Sequence, residues 1–346
     1  TSDAAGARHG PLAKDVGRAS GYIMKDAVDI EAMHTIDPDI RRFTSIVMAD
    51  YQQLTGGRAL PIAEMRRVAE QVRKPWRRGG PVMQRTTETQ VPTPSGPVRI
   101  RVYDPGARGP RPALVYMHGG GWTLFSLDTH DRVMREYAAR AGVIVAGVDY
   151  ALSPEARFPV ALEQVVAVAR WLRQHGAALG IDPDRIALGG DSAGGNLSLS
   201  AALALRDAGE GDLVKALLLI YPALDPACSA ESLQRFGGAG AMLTGEEIAW
   251  FWSNYAGDDD VRIDPRACPV LARLEGLPPV CMTIAGCDIL AEQGLDMAGR
   301  LRVAGVQVEA TVYPGATHSF IEAVSIAPLA DQAVGDGARW LRAALA

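Results

Sequence analysis

Short, unbroken apolar runs recur along most of this chain, separated by stretches in which apolar residues return every three or four positions. The runs are Ala113–Met117, Val143–Val148, Arg185–Leu188, Ala216–Ile220, Val280–Ile284 and Val308–Val312. Apart from Val308–Val312, where Glu309 and Thr311 intervene, these are short runs without polar alternation, which suit strands buried on both faces, as in a parallel sheet. Gly96–Tyr103 differs, because its apolar residues alternate with polar ones. That period of two predicts an early antiparallel strand. Pro159–His175 and Leu197–Asp207 read as helices between strands. Strand–helix alternation from about residue 88 predicts an α/β fold with a doubly wound, mostly parallel sheet.

Two stretches break the alternation. Residues 1–87 look helical and contain no clear central strand. Residues 228–257 interrupt the repeat with Phe236, Trp250, Phe251, Trp252 and Tyr255. Open α/β sheets bind ligands outside the C-terminal ends of their strands, so both stretches are candidates for a helical cap over that edge. The organisation expected is a cap segment over 1–87, a catalytic domain over 88–346, and a second cap segment inside it at about 228–257. The cap aromatics have two readings, helix-packing core or pocket lining.

Composition narrows the function classes. A chain of 346 residues with 48% hydrophobic and 22% charged residues has material for one large domain with an appendage. A net charge of -5 argues against nucleic-acid partners, which require clustered Lys and Arg. No apolar run reaches the roughly 18 residues of a membrane span, and Thr1–Lys14 lacks the apolar core of a secretory signal. Cys228, Cys268, Cys281 and Cys287 have no metal-ligand spacing. In a chain this long they read as reduced thiols, which predicts a cytoplasmic location without a metal.

Candidate chemistry rests on two motifs. Gly190-Asp191-Ser192-Ala193-Gly194 is G-x-S-x-G, the sharp elbow that lifts a serine out of a sheet. It directly follows the Arg185–Leu188 run and precedes a helix of small residues, the strand–turn–helix context the elbow needs. About seventy residues earlier stands His118-Gly119-Gly120-Gly121-Trp122, a loop whose bare N–H groups can approach a developing negative charge. An attacking oxygen and a place for the charge it creates together point to acyl transfer.

A serine nucleophile needs a base, and the base needs an acid to hold it. The elbow architecture runs nucleophile, acid, histidine, and of six histidines only His318 follows Ser192. Asp288 stands just past the Val280–Ile284 strand and is the favoured acid. Asp258–Asp260, Asp264, Glu292 and Asp296 are rivals, the last two inside a helix. Oxyanion donors are expected among the N–H groups of Gly119, Gly120, Gly121 and Ala193, without a choice between the three glycines. His118 reads as a brace for its loop.

These residues resemble the bacterial hormone-sensitive-lipase-like esterases of the α/β-hydrolase fold. The likeness lies in His118–Trp122, Asp128–Asp131, Asp149–Glu155 with Arg157-Phe158-Pro159, Gly190–Asn196, Asp288–Leu290 and His318–Phe320. The Asp149–Glu155 segment is similar to the form in bacterial acetyl esterase. The resemblance implies an eight-stranded sheet flanked by helices with a mobile N-terminal cap, and often a homodimer. It also implies short-chain acyl esters as small-molecule substrates, and no cofactor. Two departures stand out. Ala151 replaces the family's arginine, so that residue's ion pair is absent, and Phe125 stands where a glycine is common, which would narrow the acyl pocket. The same triad also serves amide, formamide or lactone hydrolysis, and a noncatalytic receptor on this fold is a further alternative.

Overall fold

The computed structural model describes residues 35–106, 109–238, 240–257 and 263–346. Eight strands form one sheet in the order β1-β2-β4-β3-β5-β6-β7-β8. They are β1 (Arg85–Val91), β2 (Val98–Asp104), β3 (Arg111–Met117), β4 (Ile144–Val148), β5 (Ile181–Asp191), β6 (Val214–Ile220), β7 (Val280–Cys287) and β8 (Val308–Thr317). β2 alone opposes its neighbours β1 and β4, and every other pairing is parallel. The seven strands expected from apolar patterning are all present. β1 is the addition: at the sheet edge it exposes Arg85 to Glu88 and buries fully only Val91, so its sequence carries no apolar run.

Successive side chains of a strand point to opposite faces, and each face here has its own helical cover. Met117 and Val115 pack with Leu197 and Leu199 of α5 (Ala193–Asp207) and Val165 of α4 (Val160–His175). Tyr116 and Leu114 pack with Tyr137 of α3 (Asp131–Ala141) and Val334 of α9 (Pro328–Ala344). Helix α8 (Ala291–Val303) joins the first face through Met297 and Leu301.

The two stretches that break the alternation carry helices among their described residues, and β1 begins at the end of the first. α1 (Pro38–Thr55) starts on Asp37, whose carboxylate accepts from the N–H groups of Asp39 and Ile40, and stops at Gly56 in the left-handed region. α2 (Ile62–Arg73) follows. α6 (Ala230–Phe236) and α7 (Gly245–Ala256) occupy the second stretch, α7 beginning with a Thr244–Glu247 capping box. Both readings of the cap aromatics hold, for different residues. Trp252 and Tyr255 are fully buried against Trp122, with Tyr255 stacked on it at 4.2 Å, while Trp250 and Phe251 line a cavity. None of the helices among the described residues is long and apolar enough to cross a membrane.

Candidate active site

Three neighbouring strand ends bring the chemistry together. β5 runs into Ser192, β7 into Asp288 and β8 into His318, all at the C-terminal edge of the sheet. Ser192 sits at φ 54°, ψ -116°, a conformation that a residue with a Cβ rarely adopts. Close contacts sustain it. Its N–H donates to Ile220, its carbonyl accepts from Ala223, and Asn196 Nδ2 donates to the carbonyls of Ala223 and Ala267. A Cβ at Gly194 would overlap the Met117 carbonyl, so the helix can enter this close to β3 only without a side chain there.

Ser192 Oγ lies 2.9 Å from His318 Nε2, and His318 Nδ1 lies 2.6 Å from Asp288 Oδ2. The carboxylate can only accept, so the ring carries its hydrogen on Nδ1 and leaves Nε2 to accept from the serine hydroxyl. Asp288 Oδ1 is fixed by the Leu290 N–H at 3.1 Å. Burial opposes a charge on His318, but Asp288 outweighs burial and raises the imidazole above its ordinary value. The rivals for Asp288 do not reach His318: Asp264 is held by Arg266, while Glu292 and Asp296 line a separate cavity of about 410 Å3. Asp258–Asp260 lie outside the described residues.

The glycine loop is braced by a buried polar network that the sequence motifs did not reveal. Asp191, the residue before the serine, accepts from Tyr116 Oη at 2.7 Å, from the Gly119 N–H at 3.1 Å and from His130 Nε2 at 3.2 Å. Thr129 donates its hydroxyl proton to the Ser126 carbonyl, so its oxygen accepts from His130 Nδ1 at 2.9 Å. Both ring nitrogens of His130 therefore donate, which makes it an imidazolium paired with the Asp191 carboxylate. Burial works against both charges, yet the pair wins: His130 is raised and Asp191 lowered. His118 Nδ1 donates to the Gly119 carbonyl at 2.7 Å, the bracing role its position suggests. Burial and the charge of His130 push the His118 imidazole down to about 3, so it stays neutral.

These bonds discriminate among the three glycines. The N–H of Gly119 is taken by Asp191, whereas those of Gly120 and Gly121 donate to no group among the described residues. Because N–H and C=O oppose each other across a trans peptide, tying the Gly119 carbonyl to His118 turns the Gly120 N–H the other way.

Beside Ser192 and His318 opens a cavity of about 670 Å3, walled by α1, α2, the glycine loop and α7. Most of its lining is apolar, including Met48, Met65, Phe125, Trp250 and Phe251. Arg66 of α2 donates to the Thr123 and Ser153 carbonyls and pairs with Glu155 at 2.7 Å. Glu155 therefore has an arginine partner from α2, although Ala151 offers none.

The sheet order and the elbow define an α/β hydrolase. A family model described as alpha/beta hydrolase fold matches residues 114–322. The chain is 40% identical to an ethyl acetate hydrolase of Pseudomonas putida over 67% of its length and 74% of that protein. It is 38% identical to an acetyl esterase of Salmonella choleraesuis over 78% of its length and 84% of that protein. Among solved structures, an esterase from Pyrobaculum calidifontis superposes with a TM-score of 0.83 at 33% identity, covering 90% of this chain and 100% of that one. The chain belongs to the α/β-hydrolase fold family, among its hormone-sensitive-lipase-like esterases.

Asp191→Asn removes the counter-charge of His130 and weakens the bond that holds the Gly119 N–H. It should lower kcat for ester hydrolysis on the order of tenfold to a hundredfold while moving KM little. Steady-state kinetics on purified, folded variant check this, and an unchanged kcat contradicts the bracing role.

Proposed function

We propose that this enzyme hydrolyses short-chain carboxylic esters through an acyl-enzyme on Ser192. The observation that carries the reading is the hydrogen-bond chain Ser192–His318–Asp288 opening on a cavity beside two unpaired glycine N–H groups. In this reading His318 takes the proton of Ser192 as Oγ attacks the ester carbonyl. Gly120, Gly121 and Ala193 donate their N–H groups to the oxyanion, and Asp288 stabilises the imidazolium. His318 then protonates the departing alcohol, and water repeats the sequence on the acyl-enzyme. Residues 1–87 and about 228–257 act as the cap over the substrate site, and α1, α2 and α7 from these stretches wall the cavity. The names of the Pseudomonas and Salmonella relatives, ethyl acetate hydrolase and acetyl esterase, favour small acyl groups.

Turnover of p-nitrophenyl acetate, butyrate, octanoate and laurate measures this directly. The two short esters should be hydrolysed fastest, and Ser192→Ala should remove on the order of 10⁴-fold or more of kcat. Turnover by the Ser192→Ala variant close to that of the parent would remove Ser192 from the mechanism.

His318 must be neutral to act as the base, and its imidazole is raised by Asp288. The acid limb of kcat/KM should therefore lie above the ordinary histidine value of about 6.5. Asp288→Asn removes the charge that favours the imidazolium, so the limb should move to lower pH as kcat falls. A limb that stays in place would mean that another group titrates.

Phe125 packs against Gly120 and lines the cavity in a left-handed conformation (φ 71°) that glycine adopts without strain. Phe125→Gly should keep the fold and shift preference from butyrate toward octanoate. An unchanged chain-length profile rules out the ring as the limit.

A further inference from the structure

Arg58, Arg73, Glu246 and Glu247 are the charged side chains of the cavity wall outside the triad, and of these Arg73 alone is buried. Arg73, the last residue of α2, is only 3% exposed and lines the cavity. Its Nε lies 2.6 Å from Oε2 of the equally buried Glu322, four residues beyond His318. The guanidinium sits over the Phe125 ring at 4.8 Å and the Tyr51 ring at 5.9 Å, both rings of the same cavity. Nη1 is sealed from solvent without a partner; Nη2 is the nitrogen left with accessible surface, and it too donates no hydrogen bond.

Stability is a poor reason to keep this pair. Two buried charges cost several kcal/mol each to desolvate, and apolar replacements of such pairs are often neutral or stabilising. Glu322 cancels the charge of Arg73, so the cavity gains a strong hydrogen-bond donor without a net demand for an anion. In a wall that is mostly apolar, such a donor discriminates sharply. A ligand with an oxygen in reach satisfies it, whereas an all-carbon ligand strips its water and leaves it unpaired.

We infer that Arg73 is a specificity-determining residue whose Nη2 donates to a second oxygen function on the ester, a carbonyl, ether or hydroxyl along one of its chains. The preferred substrates are then short esters bearing that oxygen, over all-carbon esters of the same shape. This rests on the esterase reading and deepens it. The occupant is a neutral acceptor and not a carboxylate, because Glu322 already balances the guanidinium.

Two matched pairs test it: p-nitrophenyl 4-oxopentanoate against pentanoate for the acyl side, and 2-ethoxyethyl acetate against pentyl acetate for the alcohol side. After correction for the chemical reactivity of each ester, kcat/KM should favour the oxygenated member of at least one pair on the order of tenfold. Arg73→Met combined with Glu322→Gln removes both charges without stranding either one. That variant should bring the ratio close to one while still hydrolysing the all-carbon esters, and a thermal melt confirms that it folds. A purely structural pair would change stability and leave the ratio alone. Equal turnover within both pairs by the parent enzyme overturns the inference whatever the variant does, as does a preference that survives in the variant. Hydrolysis of none of the four esters would instead overturn the esterase reading itself.

Discussion

A serine held at φ 54°, ψ -116° is the constraint on which the rest of the site depends. Strained backbone of this kind costs about 1–3 kcal/mol and survives only where its surroundings over-determine it. Here the Ile220 and Ala223 bonds hold the turn from the β6 side, and α5 starts against Met117 because Gly194 has no side chain to keep it away. The strain places Oγ above the sheet edge, within 2.9 Å of an imidazole delivered by another strand.

The same elbow fixes the glycine loop. The Asp191 carboxylate joins β3 through Tyr116, the glycine loop through Gly119 and α3 through His130 at its N-cap. A buried imidazolium–carboxylate pair thus begins one residue before Ser192. Ser192 and the glycine loop are positioned by adjacent residues of one chain segment, so a shift of either would move the other.

Much of this was legible in the sequence because it depends on local pattern. Continuous apolar runs marked the strands that carry Ser192 and Asp288, the Val308–Val312 stretch before His318 is interleaved with Glu309 and Thr311, and chain order left His318 as the histidine to test. What stayed hidden depends on contacts between distant segments. β1 exposes most of its residues at the sheet edge and so lacks an apolar signature. The choice among Gly119, Gly120 and Gly121 turns on peptide orientation, which the letters Gly-Gly-Gly do not encode. Arg73 and Glu322 lie far apart in the chain, and nothing in either segment marks its partner. The doubled histidine bonds of His130 could have been suspected from Asp128-Thr129-His130-Asp131, but only Asp191 gives that segment a purpose.

The central claim is a covalent acyl-enzyme on Ser192, and intact-protein mass spectrometry after brief reaction with a fluorophosphonate ester tests it most directly. One adduct per chain, mapped to the peptide carrying Ser192 and absent in Ser192→Ala, is the result predicted. An adduct on another residue, or full ester turnover by protein that the reagent leaves unlabelled, would contradict the account.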